Sequence, residues 1–407
     1  MARILFTVCG INLGHATRSS VLIRGLMKKH SVFITSYGTG YEYLSREFKD
    51  VMHHNGAKLR WFELAFKGAQ YLKSRTFFQN LPLLPRVVAT NFMTMVRLVR
   101  EFKPDLIISD FDVNGLYVGH LFGIPVVTIS NMHLMNYVKP HLKFNQVLEY
   151  YLTEKPVLNA FIASKYFVIP TLIKPDIREK NVFFFHPIVR ESLLEKTPAQ
   201  GSHILVYGSD EQIDPVLRLL PQFPQYQFIV YGRNVSRKEG NIRYKVFSHK
   251  GFAKDMVSAQ ALVCHGGTSI LYETAVFKKP VCVVTKPDFF ERYFNGLLAQ
   301  GLGFGELFDH ATKENLALFF RNLDYYRQAL ESANIKPDNK AILKKLNEII
   351  EAEAGKQRYP FVLPETIKEL RKRLVTNYAL LLKSRHLTHL KTLFAAQKAF
   401  TEKKAMV

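Results

Sequence analysis

Ala261-Leu-Val-Cys-His265-Gly266-Gly267-Thr268-Ser269-Ile-Leu-Tyr-Glu273 is the most informative part of the sequence for predicting the fold. The apolar run 261–264 predicts a buried strand, and the pattern that starts near Ser269 predicts a helix. A second apolar run, Pro280–Thr285, predicts the next strand. This order of strand, glycine loop, helix and strand is typical of a βαβ unit in a parallel sheet.

The glycine loop of this unit favours an anionic ligand. Two glycines let the backbone approach a bound group closely, and the first helical turn presents unsatisfied N–H groups and a positive dipole end. This combination suits a phosphate or diphosphate. His265 and Ser269 can add donors, and Glu273, about one helical turn after Ser269, can accept hydrogen bonds from two ribose hydroxyls. The alternative is an ordinary tight turn that binds no ligand. The presence of His265, Ser269 and Glu273 disfavours this alternative.

A second strand–loop–helix unit lies at the other end of the chain. The strand is predicted over Arg3–Cys9, the loop contains Gly14 and His15, and a helical pattern follows. The loop is not a P-loop, because the Gly-Lys-Ser/Thr ending is missing, and it lacks the third glycine of the dinucleotide fingerprint. On its own, this loop is a weak indication of a binding site.

Two carboxylates follow a further predicted strand, Pro104–Asp110, in the order Asp110-Phe-Asp112. Ligand sites of parallel sheets lie at the carboxyl ends of the strands. An Asp-x-Asp pair can hold a divalent metal, but we favour a role for Asp110 alone, in which it orients a nearby histidine. We therefore expect no metal site.

The strand pattern restarts after the polar segment Thr197–Gly201, with predicted strands at His203–Tyr207, Gln227–Tyr231 and Asn241–Phe247. We therefore expect an α/β protein of two doubly wound, Rossmann-like domains that face each other across a cleft. The predicted domains are residues 1–196 and 202–337, followed by a helical, basic extension over residues 338–407.

Composition indicates a folded protein of the cytoplasm. The chain has 407 residues, of which 47% are hydrophobic. No apolar run reaches the roughly 20 residues that span a bilayer, and the first strand is too short for a signal peptide. The three cysteines fall in or beside predicted core strands and are expected to be reduced. Their spacing does not indicate a zinc site.

The net charge predicts an anionic partner. Fifty-six Lys and Arg residues against thirty-four Asp and Glu residues give +22. No nucleic-acid-binding motif is present, and the basic residues alternate with Leu and Phe over residues 58–103 and 356–407. This pattern favours an anionic membrane surface, so we expect a cytoplasmic protein on the inner face of the cell membrane. Ordinary amphipathic helices packed on the body are the alternative for both segments.

Taken together, the motifs resemble the inverting GT-B glycosyltransferases of the UDP-glycosyltransferase-like superfamily. The sequence is most similar to the group, related to glycosyltransferase family 28, that contains MurG, the diacylglycerol glycosyltransferases and the UDP-glucuronosyltransferases. The resemblance covers roughly residues 3–310. It rests on His265-Gly-Gly-Thr-Ser269-x-x-x-Glu273, Lys279-Pro280, Glu291-Arg292-x-x-Asn295 and Gly14-His15.

The resemblance implies a role for each matching residue. The nucleotide-sugar donor would be held by Gly14, Phe247, His265, Gly266, Gly267, Thr268, Ser269, Glu273, Glu291, Arg292 and Asn295. In this set, residues 265–269 would bind the diphosphate, Glu273 the ribose, Phe247 or its neighbours the uracil, and Glu291 with Arg292 the sugar. His15 would be the general base, oriented by Asp110. The family usually has Gln in place of Arg292, so the donor sugar stays open.

The resemblance also implies a reaction. A sugar would be transferred from a nucleotide-diphosphate donor, a UDP-sugar, to a hydroxyl group of a lipid or of a cell-envelope glycan precursor, without a metal or another cofactor. The first domain would bind the acceptor and the second the nucleotide sugar. Two alternatives stay open: a GT-B-shaped epimerase of nucleotide sugars, and a non-catalytic protein that binds sugar nucleotides at a membrane surface.

Overall fold

The computed structural model describes residues 1–356 with short gaps at 12, 63–65, 68–69, 72, 139–141, 143–145, 148–149, 162, 178, 197–198, 200, 209–212 and 287–288. The basic segment 357–407 lies outside the described residues, so the predictions made for it are not tested. The described chain forms two compact units.

The first unit contains Met1–Tyr137, Pro156–Ile188 and the described residues from Asp338 onward, and the second contains Val138–Lys155 and Val189–Pro337. These boundaries differ from the sequence-based ones. The chain contributes to the second unit twice, first with residues 138–155 and again from Val189 onward. The segment from Asp338 onward belongs to the first unit.

A parallel sheet of seven strands forms the first unit, in the order β3-β2-β1-β6-β7-β8-β9. The strands are mostly short apolar runs, buried as expected for parallel strands covered on both faces. Their bounds are β1 Arg3–Val8, β2 Ser31–Ser36, β3 Gly56–Lys58, β6 Leu106–Asp110, β7 Val126–Ile129, β8 Tyr166–Pro170 and β9 Val182–Phe185; β4 Phe66–Lys67 and β5 Gln70–Tyr71 form a separate antiparallel pair.

The helices along this part of the chain are α1 Leu13–Leu26, α2 Gly38–Glu47, α3 Lys49–Asn55, α4 Lys73–Asn80, α5 Leu84–Phe102, α6 Val113–Leu121 and α7 Lys155–Ala160. A 3-10 turn covers Met132–Asn136 and a π-helical turn covers Tyr150–Glu154. The sequence pattern over residues 146–164 predicts a single helix, whereas the structure has the π-helical turn and α7 as separate elements there. Pro156, which has no N–H to donate, lies where the π-helical turn gives way to α7.

A second sheet of seven strands forms the second unit, in the order β12-β13-β11-β10-β14-β15-β16. All neighbouring strands are parallel except β12, which pairs antiparallel with β13 at one edge. The three residues of β12, Arg237, Lys238 and Glu239, are all charged and exposed. The bounds are β10 His203–Tyr207, β11 Gln227–Tyr231, β12 Arg237–Glu239, β13 Ile242–Lys245, β14 Ala261–Cys264, β15 Val281–Val284 and β16 Gly305–Phe308.

The helices after Val189 are α8 Glu191–Leu194, α9 Asp214–Leu219, α10 His249–Ser258, α11 Thr268–Val276, α12 Phe290–Gly301, α13 Lys313–Arg321, α14 Leu323–Ala333 and α15 Asn339–Glu353. The sequence-based prediction of two doubly wound, Rossmann-like domains is confirmed. In the described part of the chain, no helix combines the length and the apolar character needed to cross a membrane.

The helix α15 belongs to the core of the first unit. Ile342, Leu346, Ile349 and Ile350 are buried in the same cluster as the first strand and helix. Their spacing places them on one face of the helix. The helix α15, with which the predicted extension begins, is therefore packed in the first unit. Its polar composition did not indicate this position.

Candidate active site

In each unit, the strand order changes direction at one position. The change lies between β1 and β6 in the first sheet and between β10 and β14 in the second. Ligands of open parallel sheets bind at the carboxyl ends of the strands at such a point. His15 follows β1, Asp110 ends β6, and His265 follows β14, so the candidate residues of each unit lie at its switch point.

In the first unit, His15 and Asp110 are in direct contact. The Nδ1 atom of His15 lies 2.8 Å from Oδ1 of Asp110. Gly14 and His15 lie in the first turn of α1, because this helix begins at Leu13 and the predicted loop is correspondingly shorter. The ring of His15 also stacks on Phe111 at a centroid distance of 5.7 Å. Both contacts fix the orientation of the imidazole.

Arg18 completes this cluster, and the sequence analysis missed it. Its Nε donates to Oδ2 of Asp110 at 2.9 Å, its Nη2 donates to Oδ1, and its Nη1 donates to Asn131 at 2.7 Å. The hydroxyl of Ser19 donates to the same carboxylate. Arg18 lies one turn after His15 on α1, and this spacing is the signal that could have revealed it.

The charge of Arg18 keeps Asp110 ionised. Complete burial alone would raise the pKa of Asp110, but the neighbouring charges of Arg18 and His15 and their hydrogen bonds outweigh burial and hold this pKa below its usual value. An ionised Asp110 favours the tautomer of His15 in which Nδ1 carries the proton. Arg18 Nη2 lies 2.9 Å from Nδ1 as well, but it can only donate, so it competes for that nitrogen with the bond to Asp110.

Asp112 has a different role from Asp110. Its side chain caps α6, where it accepts from the N–H of Gly115 at 3.3 Å and from Asn114 at 2.8 Å. A cap of this kind satisfies N–H groups at the start of a helix. Among the described residues, no three His, Cys, Asp or Glu side chains come together as potential metal ligands.

In the second unit, the glycine loop is too tightly packed at Gly266 for any other residue. Gly266 has a φ of +86°, and a Cβ atom there would lie 2.6 Å from the carbonyl oxygen of Arg292. The amide of Asn295, which is buried, donates to the carbonyl of Gly266 and to the hydroxyl of Thr268, both at 2.9 Å. Asn295 therefore holds the loop in shape.

The loop leads directly into α11. Gly267 takes the N-cap position and has no side chain to accept from the N–H groups of the first turn, to which Thr268 and Ser269 belong. Thr268 donates its hydroxyl to Glu291 at 2.8 Å. The backbone donors of this helix start are thus the strongest feature of the loop for an anion.

Arg292 supplies positive charge near the loop, whereas His265 is neutral. Burial and, to a smaller extent, the nearby charge of Arg292 lower the pKa of His265 to about 3, against a hydrogen bond to the backbone of Tyr207 that raises it. Among the described residues, Nδ1 of His265 is buried and has no hydrogen-bond partner. Arg292 itself lies over the ring of Phe289 at 4.8 Å. His265 therefore brings no positive charge to the loop.

Glu273 forms a buried ion pair that the sequence did not predict. Its two carboxylate oxygens each accept from Arg190, from Nε and from Nη2, at 2.7 Å. The side chain of Glu273 is only 5% exposed and that of Arg190 16%. The two residues are 83 positions apart in the sequence, which explains why no local pattern indicated the pair.

Phe247 lies at the edge of an aromatic cluster. It follows the end of β13 and is half-exposed, in contact with the rings of Tyr207, Tyr231, His249 and Phe252. Next to it is an open cavity of about 610 Å³, whose lining includes Val246 and Ser248 on either side of Phe247. Four cations also line this cavity: Arg237, Lys238, Arg243 and Lys245. The surroundings of Phe247 thus combine aromatic surface with positive charge.

Comparison with known proteins identifies the family of the chain. The sequence profile of glycosyl transferase family 1 matches residues 2–324. The chain belongs to this family. The prediction that the chain is a glycosyltransferase with a GT-B fold is confirmed. The narrower resemblance to the MurG group stays a prediction.

This glycosyltransferase has similar proteins in sequence and in fold. A protein of Methanosarcina mazei described as an uncharacterized glycosyltransferase is 23% identical over 400 residues, which cover 87% of this chain and 99% of that protein. A crystal structure described as the glycotransferase of kitacinnamycin covers 86% of this chain and 99% of its own, with 16% identity and a TM-score of 0.59. A UDP-GlcNAc 2-epimerase from Neisseria meningitidis covers 85% and 100%, with 15% identity and a TM-score of 0.56.

Proposed function

We propose that this glycosyltransferase moves a sugar from a UDP-sugar to a hydroxyl group of a lipid or cell-envelope glycan precursor, with inversion and without a bound metal. The observation that carries the proposal is the contact of 2.8 Å between His15 Nδ1 and Asp110. It leaves Nε2 as the basic atom of His15. An imidazole held in this way is a suitable base for an alcohol at neutral pH.

The first unit supplies the base of the reaction. As the acceptor oxygen forms its bond to the anomeric carbon, Nε2 of His15 takes the hydroxyl proton. The ionised Asp110 stabilises the imidazolium that results. Loss of such a base slows a reaction by about 10²–10⁴-fold.

The second unit binds the donor and its leaving group. The bond between the anomeric carbon and the diphosphate oxygen breaks, and the developing negative charge is stabilised by the N–H groups of α11 and by Arg292. Glu273 accepts from the ribose, Phe247 and its neighbours contact the uracil, and Glu291 faces the sugar. No metal is needed in this scheme, because helix dipole and guanidinium offset the charge of the diphosphate.

A panel of UDP-sugars, incubated with the protein with and without lipid acceptors, tests the proposal. We expect UDP to be released with one particular UDP-sugar and only when an acceptor is present. EDTA should leave this release largely intact. A complete block by EDTA would contradict metal independence. Absence of UDP release with every donor and acceptor would favour the non-catalytic alternative.

An epimerase of nucleotide sugars is the second candidate. It is favoured by the similar fold of the UDP-GlcNAc 2-epimerase, although such a likeness concerns the fold alone. The same assay separates the two, because an epimerase alters the sugar without an acceptor. A new UDP-sugar detected in the absence of any acceptor would support this candidate.

We also propose that the first unit binds an anionic membrane through the surface of α4, α5 and the turn between them. Six of the sixteen exposed large hydrophobic side chains among the described residues lie here: Phe78, Leu81, Leu83, Leu84, Val88 and Met93. Phe78 and Met93 are 68% and 65% exposed. A cluster of exposed apolar side chains of this kind marks an interaction surface.

The charge of the same surface favours an anionic lipid as the partner. Arg86, Arg97 and Arg100 are exposed along α5 and follow one another at helical spacing with Met93 between them. Only Glu101, which lies near Arg97 at 3.9 Å, opposes them on the described part of this helix. Each cation near an anionic leaflet contributes about 1 kcal/mol, so apolar insertion and charge act together. A lipid-bearing acceptor is expected at the same membrane surface.

A further inference from the structure

The strongest unexplained contact in the second unit is the pair formed by Arg190 and Glu273. A buried carboxylate is unfavourable unless it is paired and hydrogen-bonded. Here two parallel N–H···O bonds of 2.7 Å join the guanidinium fork to both carboxylate oxygens. Such a bidentate pair fixes the plane of the carboxylate as well as its charge.

The backbone of Arg190 is anchored independently of this pair. Its carbonyl accepts from the N–H groups of Leu193 and Leu194 at 3.0 and 3.3 Å, at the start of α8. The neighbouring side chains Val189 and Leu193 are fully buried. The guanidinium is therefore presented to Glu273 from a fixed point of the backbone.

The position of Glu273 suits a nucleoside next to the helix start. It lies five residues after Thr268, the first residue of α11, which corresponds to about 7 Å along the helix axis. In a nucleotide, the ribose is joined directly to the phosphate. A carboxylate at this distance from an anion site is within reach of the ribose hydroxyls.

The ion pair does not use up the acceptor capacity of Glu273. A carboxylate has about four lone-pair positions, and the two hydrogen bonds from Arg190 occupy two of them. One position on each oxygen remains for a ligand hydroxyl.

We propose that Arg190 is a positioning residue for the ribose of the donor: it holds Glu273 ionised and oriented, so that the carboxylate accepts from the 2′ and 3′ hydroxyls. This inference rests on the proposed function, because it requires a nucleotide at α11. If the ion pair were merely structural, its loss would weaken the binding of every nucleotide to the same extent. A positioning role predicts instead a loss that is specific to nucleotides with the ribose hydroxyls.

The test compares the affinities of UDP and 2′-deoxy-UDP by calorimetry. The ratio of their dissociation constants reports the hydroxyl contact alone, because the base and the diphosphate are shared. A hydrogen bond to a charged acceptor predicts a ratio of about 10 or more in the wild type. In Arg190→Ala, the ratio is expected to fall to about 1–2, and Arg190→Lys should restore part of it.

Arg327→Ala is the matched control. Arg327 is a partly buried arginine of the same unit, paired with Asp324 at 2.5 Å, and its loss should leave the ratio at the wild-type value. Thermal unfolding of each variant shows whether it is folded, and the wild-type ratio and Arg190→Lys provide the test if Arg190→Ala does not fold.

The results separate the inference from the function on which it rests. If UDP and 2′-deoxy-UDP both bind with a wild-type ratio near 1, this inference is overturned together with the ribose contact of Glu273, while nucleotide binding at α11 stands. If the wild-type ratio is high and Arg190→Ala leaves or raises it, Arg190 does not position the ribose and only this inference is overturned. If the folded wild type binds neither nucleotide, the proposed donor site is wrong and the inference falls with it.

Discussion

Arg18 donates hydrogen bonds to both carboxylate oxygens of Asp110, the carboxylate that also lies 2.8 Å from Nδ1 of His15. Asp110 therefore has two tasks: it compensates a buried guanidinium and it orients the proposed base. The first task concerns the stability of the fold and the second concerns the rate of the reaction. The two can be measured separately.

Substitution His15→Ala should abolish most of the turnover and leave the affinity for UDP unchanged. The imidazole is the proposed base, and its removal should slow transfer by about 10²–10⁴-fold. The rate is measured as acceptor-dependent release of UDP, and the affinity by calorimetry. His54→Ala, at an exposed position of the same unit, is the control and should be normal. Near-normal turnover of His15→Ala would exclude this residue from the mechanism.

Substitution Asp110→Asn should destabilise the protein in a pH-dependent way. At neutral pH the neutral amide leaves the charge of Arg18 uncompensated, which costs about 3–5 kcal/mol. The folded pKa of Asp110 is lowered, so its stabilisation is fully present above the unfolded value, about 3.9, and is lost as pH falls toward the folded value.

Urea unfolding of the wild type and of Asp110→Asn at several pH values provides the measurement. The difference in free energy of unfolding should be largest near pH 7 and should shrink from about pH 5 downward. A difference that stays constant between pH 7 and pH 3 would show that the carboxylate charge is not the cause.

Substitution Gly266→Ala should impair both stability and nucleotide binding. An added methyl group would meet the carbonyl oxygen of Arg292 at 2.6 Å, in addition to the strain of the positive φ. Gly240→Ala is the matched control, since Gly240 has a φ of +57° but no neighbour within 4 Å of an added Cβ atom. We expect a loss of about 1–2 kcal/mol for the control and a clearly larger loss for Gly266→Ala in urea unfolding. Equal losses would refute the proposed close packing of this loop.

Sedimentation with liposomes should show binding to anionic vesicles that decreases at high salt, because charges are screened over about 8 Å at physiological ionic strength. The combined change Phe78→Ser, Leu83→Ser and Met93→Ser should reduce this binding at every salt concentration. The change Val235→Ser with Tyr325→Ser, at exposed positions of the second unit, should not.

Two results would argue against this membrane surface. If the wild type stays in the supernatant with anionic vesicles at low salt, a soluble acceptor is favoured. If the triple variant sediments like the wild type, the protein binds membranes through another surface.

The sequence predicted the parts of the fold that depend on local patterns. The apolar runs gave β1, β10 and β14 within a residue or two, and the glycines marked the start of α11. The contact of Asp110 with a histidine was also expected, and it forms because Asp110 ends β6 while His15 follows β1, its neighbour in the sheet.

Contacts between distant side chains could not be predicted in this way. Arg190 meets Glu273 across 83 positions, and Asn295 reaches back to the carbonyl of Gly266 across 29. No periodic sequence pattern marks either contact, since each contact depends on how helices pack against the sheet. Asp112 illustrates the converse, because it caps the helix that starts directly after it, through a contact within three residues of the sequence.

The short strand β12 has a consequence for self-association. It ends the second sheet at one edge with Arg237, Lys238 and Glu239, all exposed, and Lys238 lies directly opposite Arg243 of β13. Unpaired edge strands recruit strands of other chains, and short, charged edges prevent this. A strand of another chain could pair with only the three residues of β12, and it would have to approach the adjacent cations Lys238 and Arg243. Replacement of these charges by Val or Ile would turn the edge into a template for aggregation.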